Sequence, residues 1–359
     1  MQPLEHVPLA PQTTLGVGGQ ARWYVRVESV EAARQALQWA MERALPVFVL
    51  GGGSNLVVAD AGWPGLVLHL AVAGVDIQPA SANPLLVAGA GEPWDRVVAA
   101  LVARGLAGVE CLSGIPGTVG GTPVQNVGAY GQEVAGVLDH VVALDTTTGG
   151  VVRLANAGCG FGYRMSRFKG ADAGRFIIAA VAFRLREGPP TVTYPDLMAH
   201  MHEHAIMSPA VADVREAVLA VRRRKAMLID AADPDTRSVG SFFMNPVVGA
   251  AVFAAIAASA GGDVPSFPAA EGQVKVPAAW LVERAGFARG FAAGAAGVSS
   301  KHPLAIVNRG GASAGDIVAL ASRIKRQVAD RFGIWLRTEP VFVGFGEDAD
   351  VRFLQKVQG

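Results

Sequence analysis

Residues 113–131 read S-G-I-P-G-T-V-G-G-T-P-V-Q-N-V-G-A-Y-G, with six glycines and two prolines in nineteen positions. No regular helix or strand tolerates that density of breakers. A loop of this length in a compact chain is uncommon unless it binds something. Glycine also lets backbone approach a ligand closely. The chain therefore has to fold around a long ordered loop. Within it, Gln125 and Asn126 offer amide donors and acceptors in an apolar frame. That combination suits a flat heterocycle edged with carbonyls and ring nitrogens.

A second glycine loop has a different context. Val47 to Leu50 is a short apolar run that reads as a buried strand, and it leads directly into Gly51, Gly52, Gly53, Ser54 and Asn55. Successive glycines let N–H groups converge into an anion-binding concavity, so a pyrophosphate fits. Read alone, an ordinary glycine turn fits as well. The clustering carries weight because 44 of 359 residues are glycine, about 12% against a usual ~7%. Two standard nucleotide signatures are excluded. There is no G-x-x-x-x-G-K-[S/T]. Gly16 to Ala21 spells G-x-G-x-x-A, but it leads into the strand-like Trp23 to Val27 instead of following a strand.

The rest of the chain alternates short strands and amphipathic helices without a strict βαβ rhythm, so the fold class is α+β. Helices are expected at 29–44, 92–106, 211–228, 249–260, 277–286 and 313–332. Strands are expected at 67–70, 85–87, 141–144, 151–154, 176–185 and 341–343. The length suggests two or three domains. A net charge of +1 with only one dense basic cluster, Arg222 to Lys225, argues against a nucleic-acid partner. That cluster, read alone, is a favourable cationic helix end. Cys111 and Cys159 form no C-x-x-C pair, and no metal is expected. Residues 1–12 lack a basic region followed by an apolar run, and the Ala/Val-rich stretch 250–260 is too short to cross a bilayer. The expected compartment is the cytoplasm, with no membrane partner.

Five blocks in order resemble the UDP-N-acetylenolpyruvoylglucosamine reductase family: 51–55, 114–131, Tyr163 to Lys169 (Y-R-M-S-R-F-K), Gly240 to Pro246 (G-S-F-F-M-N-P), and Glu339. The resemblance covers nearly the whole chain. It implies an FAD-binding fold of the vanillyl-alcohol-oxidase (PCMH) type in two subdomains, 1–71 and 72–208. A C-terminal α+β substrate-binding domain follows at 209–336, and 337–359 rejoins the first subdomain. It implies FAD as cofactor, NADPH as co-substrate, and a UDP-sugar reduced from enolpyruvyl to lactyl ether in peptidoglycan biosynthesis. A monomer is expected.

The same resemblance assigns roles. Gly51, Gly52, Gly53, Ser54, Asn55, Leu56, Ile115, Pro116, Gly117, Thr118, Gly120, Gly121, Gln125, Asn126, Gly128, Ala129, Tyr130, Ile177 and Arg222 match cofactor positions. Tyr163, Arg164, Tyr194, Lys225, Asn245, Phe267 and Lys275 match substrate contacts. Arg164, Ser241 and Glu339 match the catalytic set, with Ser241 as proton donor. Read alone, Ser241 suits a helix cap or turn, and Arg164 with Glu339 suits a buried ion pair. One departure stands out: the chain resembles the longer form of the family, in which a loop tyrosine closes over the diphosphate, and here Phe267 holds that place. Flavin oxidases that tether FAD use His or Cys. The two glycine loops contain neither, so FAD is expected to be non-covalent.

Overall fold

A computed structural model describes residues 2–78, 83–270 and 272–357. The remaining residues, 1, 79–82, 271, 358 and 359, fall within the expected spans 1–71, 72–208, 209–336 and 337–359 and lie outside the described residues. The chain divides into two compact units. One comprises Met1–Val7, Ala21–Gly53 and Pro64–Leu228. The other comprises Pro8–Gln20, Ser54–Trp63 and Ile229–Gly359. Helices and strands mix in both, as an α+β fold requires.

The first unit holds two sheets. In one the strand order is Leu4–Pro8, Gln20–Val27, Trp63–Leu70, Val47–Leu50. Val47–Leu50 runs parallel to its neighbour, so it points Gly51 out of one end of the sheet. The helix Val30–Met41 covers this sheet with Ala33, Ala36 and Ala40, against Val25, Leu66 and Leu68. Ser29 caps it by accepting from the Ala32 N–H at 3.1 Å. The second sheet has the order Val151–Ala155, Leu138–Asp145, Phe176–Arg184, Leu85–Gly89, Val75–Gln78 and is antiparallel throughout. The helix Trp94–Val102 buries Trp94, Val98 and Leu101 on it beside Val181 and Phe183. It is shorter than the expected 92–106. Extended Pro93 (ψ 123°) starts it, and Leu106–Ala107 instead pairs as a strand with Arg186–Glu187.

The second unit is built on the Ala314–Phe332 helix. Ser313 and Asp316 form a capping box, and Gly333 in the left-handed region (φ 69°) ends the helix. Ile317, Leu320, Ile324 and Val328 pack with Phe242, Phe243 and Leu281. Val341–Val343 pairs in parallel with Leu56–Val58. Two helices outside the periodicity reading, Pro195–Glu203 in the first unit and Ala349–Gln355 in the second, are short. Among the described residues no helix is long and apolar enough to cross a membrane.

Candidate active site

In the first unit the Val47–Leu50 strand delivers Gly51 and Gly52 against the long loop. A Cβ on Gly52 would stand 2.5 Å from the Gly117 Cα, and one on Gly51 would stand 3.0 Å from Thr118 Oγ1. Backbone lies on backbone there, an approach that any side chain at 52 would block. The loop is tied down from behind. Trp94 N–H donates to Gly117 O (3.0 Å), Val119 N–H to Glu92 O and Gly120 N–H to Ala90 O (2.9 Å each). Ile115, Pro116, Gly117 and Thr118 remain half-exposed along its rim, with Gly121 exposed.

The second half of the loop folds back on itself. Gly128–Ala129 pairs with Gln132–Glu133 around Tyr130 and Gly131, at φ 50° and 88°. Positive φ at both turn positions is type I′ geometry, which a tyrosine adopts only under constraint. Asn126, also left-handed (φ 46°), is a buried brace. Its Nδ2 donates to Glu133 Oε2 (2.9 Å) and Gly162 O (3.1 Å), and its Oδ1 accepts from Ala135 N–H (2.9 Å). Gln125, beside it, is half-buried.

Arg164 belongs to the same assembly. Gly162 and Met165 exchange N–H···O bonds of 3.0 and 3.1 Å, leaving Tyr163 and Arg164 as the tip of a tight hairpin. Arg164 is left-handed (φ 55°), its Nη2 donates to Gly128 O at 2.6 Å, and its guanidinium lies 5.6 Å from the Tyr163 ring centre. Ser166 Oγ donates to Val124 O (2.5 Å) from the same segment. Hairpin and glycine loop are laced together by backbone carbonyls, which fixes where the guanidinium sits.

Arg222, on the Val211–Arg224 helix, is 8% exposed. Its Nη2 donates to Met227 O (2.7 Å), whereas its Nε is buried without a hydrogen-bond partner among the described residues. A Cβ on Gly114 would lie 3.2 Å from that Nε. Burial pushes the Arg222 pKa down, against the Tyr130 hydroxyl and the Asp95 carboxylate. The Tyr130 ring meets Tyr194 edge-on at 5.3 Å. Lys225, one turn after Arg222, pairs with Asp196 (2.5 Å). Ile177, 2% exposed, sits on the Phe176–Arg184 strand in a cluster with Leu66 and Leu144.

The second unit holds the other two catalytic candidates. Phe243 bridges Thr338 in antiparallel fashion, and Glu339 N–H donates to Phe242 O at 2.9 Å. This ladder sets Glu339 one residue along from Ser241. Ser241 follows left-handed Gly240 (φ 76°) and caps no helix. Among the described residues its hydroxyl makes no hydrogen bond. Asn55 clasps the same strand: its Nδ2 donates to Glu339 O (3.2 Å) and its carbonyl accepts from Val341 N–H (3.0 Å). Ser54 and Leu56, on either side of Asn55, are half-buried. Asn245 Oδ1 accepts from Ala278 N–H (2.8 Å) and caps the Ala278–Arg284 helix. Phe267, 53% exposed, pairs directly opposite Lys275 in a small three-stranded sheet.

Two residues escaped the sequence reading. Asp95 accepts from the Gly114 N–H (2.5 Å) and from both terminal nitrogens of Arg215 (2.6 and 2.9 Å). Thr14 Oγ1 reaches the carbonyls of Ser238 (2.7 Å) and Ser54 (3.3 Å). Both act on backbone far away in sequence, so no local pattern announces them.

Comparison with known proteins follows the same division. The FAD binding domain family matches residues 21–154, and the UDP-N-acetylenolpyruvoylglucosamine reductase C-terminal domain family matches 233–343. An FAD-binding domain followed by a reductase domain defines a flavin-dependent oxidoreductase. UDP-N-acetylenolpyruvoylglucosamine reductase of Nocardia farcinica is 49% identical over 352 residues, covering 95% of this chain and 89% of that one. The reductase of Thermobifida fusca is 44% identical over 350 residues, covering 94% and 97%. The crystal structure of the Thermus caldophilus reductase superposes with a TM-score of 0.66 at 27% identity, covering 96% of this chain and 99% of that one. The chain belongs to the UDP-N-acetylenolpyruvoylglucosamine reductase family.

The first unit suits FAD on its own geometry. The Gly52–Gly117 approach brings two backbones together as a pyrophosphate cradle requires. Arg222 Nε, beside the loop, and Thr118 Oγ1, within it, are buried polar atoms without partners among the described residues. A phosphate or a flavin edge would satisfy them.

Proposed function

We propose that this chain reduces the enolpyruvyl ether of UDP-N-acetylglucosamine enolpyruvate to the lactyl ether of UDP-N-acetylmuramate, a step of peptidoglycan biosynthesis, at the expense of NADPH. The observation that carries the reading is the ladder that sets Glu339 beside the Ser241 segment, with a Ser241 hydroxyl that makes no hydrogen bond among the described residues. FAD bound here would supply the hydride-transfer chemistry between NADPH and the vinyl group of the substrate. Gly51 to Leu56, with Ile115 to Thr118, Gly120 and Gly121, hold the pyrophosphate. Gln125, Gly128, Ala129, Tyr130 and Arg222 would frame the ring system, with Asn126 bracing the turn that presents them. The cofactor is non-covalent: the loops offer no histidine, and burial pushes the thiol of nearby Cys111 up to about 12, with Glu110 adding to the shift.

The chain's own chemistry is positional. Arg164, fixed by the Gly128 carbonyl, grips the substrate carboxylate, where negative charge grows as hydride adds. Ser241 delivers its proton to the other vinyl carbon. Its hydroxyl is a weak acid, so the basicity of the developing carbanion drives the transfer. Glu339 hydrogen-bonds the enol form. Tyr163, Tyr194, Lys225 and Asn245 hold the nucleotide sugar. Phe267 covers it as an apolar lid, and Lys275 on the paired strand supplies the charge that a phenylalanine cannot. The enzyme works as a cytoplasmic monomer and meets its two substrates in turn.

The test separates the half-reactions. Purified protein should show flavin absorbance, and acid should release intact FAD. NADPH should bleach the flavin, and the enolpyruvyl substrate should restore it. In Ser241→Ala, bleaching by NADPH should stay near normal while reoxidation by substrate slows at least ~10²-fold. Equal slowing of both steps would remove Ser241 from the proton-donor role. Colourless protein that takes up no FAD would overturn the whole reading.

A further inference from the structure

The sequence alone points to no metal and to no helix at 195–203, but Pro195–Glu203 is helical. With those residues helical, H-M-H-E-H at 200–204 acquires a geometry. His200, Glu203 and His204 stand at i, i+3 and i+4 and share one face of the last turn. One ligand atom from each lies within 4.8 Å of the others. The two imidazole rings stack with centres 4.1 Å apart and planes 30° from parallel. His204 Nδ1 meets the His200 carbonyl at 2.9 Å. A carbonyl only accepts, so Nδ1 carries the hydrogen and Nε2 presents its lone pair. A hydrogen bond of this kind is the usual device for fixing the tautomer of a metal-binding histidine. His200 Nδ1 is buried without a hydrogen-bond partner among the described residues.

We infer that the C-terminal turn of the Pro195–Glu203 helix is a binding site for a divalent transition-metal ion, with His200, His204 and Glu203 as its protein ligands and water completing the shell. The donor set selects the class of ion. Two imidazoles and a carboxylate suit Zn²⁺, Ni²⁺ or Cu²⁺, whereas Mg²⁺ and Ca²⁺ take oxygen ligands. Two atoms bound to one tetrahedral Zn²⁺ sit roughly 3.3 Å apart. Closing from 4.8 Å asks for an ångström or so of movement, and Glu203 and His204 are both exposed and able to make it. The helix C-terminus bears partial negative charge, which favours a cation there. The Glu203 carboxylate adds to that, and Arg224 on the neighbouring helix opposes it. A metal bridging i and i+4 ties the last turn shut. The same nine-residue helix follows Tyr194 and carries Asp196, the partner of Lys225, on its first turn. Metal loading therefore stiffens the element that presents those two residues, whatever ligand they serve.

Tag-free protein titrated with ZnCl₂ or NiCl₂ in excess Mg²⁺ should show one saturable site per chain by calorimetry. His200→Ala and His204→Ala should each weaken binding at least ~10-fold, and the double variant should abolish it. His202→Ala, on the same turn but outside the cluster, should bind like the parent. Amide exchange across residues 200–206 should slow on Zn²⁺ addition in the parent and not in the double variant. The inference is overturned if no saturable heat appears, if the double variant binds like the parent, or if His202→Ala abolishes binding. Circular dichroism of each variant separates loss of a ligand from loss of the helix.

Discussion

Two buried cations, one in each unit, show how differently a positive charge can be kept out of water. Lys325 is fully buried on the Ala314–Phe332 helix. Its Nζ donates to the carbonyls of Phe353 (3.0 Å), Leu354 (2.7 Å) and Lys356 (2.6 Å), the open end of the Ala349–Gln355 helix. Trp335 and Phe353 rings flank it at 5.7 and 5.4 Å. Every proton it carries has an acceptor. Arg222 is nearly as buried but only partly satisfied, with Nη2 on Met227 O and Nε unmet among the described residues. A saturated buried cation locks structure in place. An unsaturated one bordering a glycine cradle leaves a donor open to a ligand or a water.

If that contrast is right, removing each cation should injure a different property. The largest effect belongs to Lys325→Met. The side chain keeps its volume, but three helix-end carbonyls lose their donor. Unmet buried acceptors cost roughly 1–3 kcal/mol each, and partial hydration of the helix end tempers the sum, so a loss of about 3 kcal/mol is expected in a chemical melt. Flavin content per folded chain should not change. A variant as stable as the parent would mean the carbonyls find water at no cost, and the contrast would lose its structural half.

A somewhat smaller effect comes from pH. Burial pushes the Lys325 amine down to about 8 from its ordinary 10.5. Between those values the unfolded chain holds a proton that the folded chain has released, so this group's contribution to stability rises as pH climbs from 8 toward 10.5. Cys111 and Cys159 act in the opposite direction above about pH 9, because burial raises their thiols to about 12 and 11. The difference between parent and variant isolates the lysine. The gap between parent and Lys325→Met should widen by roughly 1–2 kcal/mol from pH 7.5 to 10, after allowance for screening. A gap that narrows would show that the carbonyls hold the ammonium more firmly than burial expels it.

What the sequence disclosed about these sites follows from the range of the interactions. The Val47–Leu50 strand, both glycine loops, the helix from 313 to 332 and Val341–Val343 were all legible, because each is written in adjacent residues or in a helical period. Lys325 packs with the apolar stripe of Ile317, Ala321 and Val328, and its acceptors lie some thirty residues on, beyond the reach of any local pattern. Asn126 looked like a ligand amide. The structure engages it with Glu133, Gly162 and Ala135, and no spacing rule predicts partners that a fold brings in from two directions. The left-handed Tyr130 was likewise hidden, since a tyrosine at the first position of a type I′ turn runs against preference. Ser241 was open to two readings. Only the placement of Gly240 and the Thr338 ladder separates a cap from an uncommitted hydroxyl.

The smallest expected effect is the most discriminating. Arg222→Met keeps most of the buried bulk and removes the guanidinium. In flavin-free protein it forfeits the bond to the Met227 carbonyl and the interaction with the Tyr130 hydroxyl, and it relieves a charge that burial already disfavours. These terms oppose each other, so the melt of flavin-free protein should shift by less than about 1 kcal/mol. Flavin binding is another matter. If Nε completes its hydrogen bonding on the cofactor, the variant loses a charge-assisted bond made only in the complex, a bond worth about 1.5–3 kcal/mol. FAD affinity should then fall at least ~10-fold in a fluorescence titration of stripped protein. Lys325→Met, titrated the same way, should bind FAD like the parent wherever it is folded. The opposite pattern for Arg222→Met, a melt lowered by several kcal/mol with FAD affinity intact, would make Arg222 a second structural lock. The unmet Nε would then have to be assigned to a water bridge instead of a ligand.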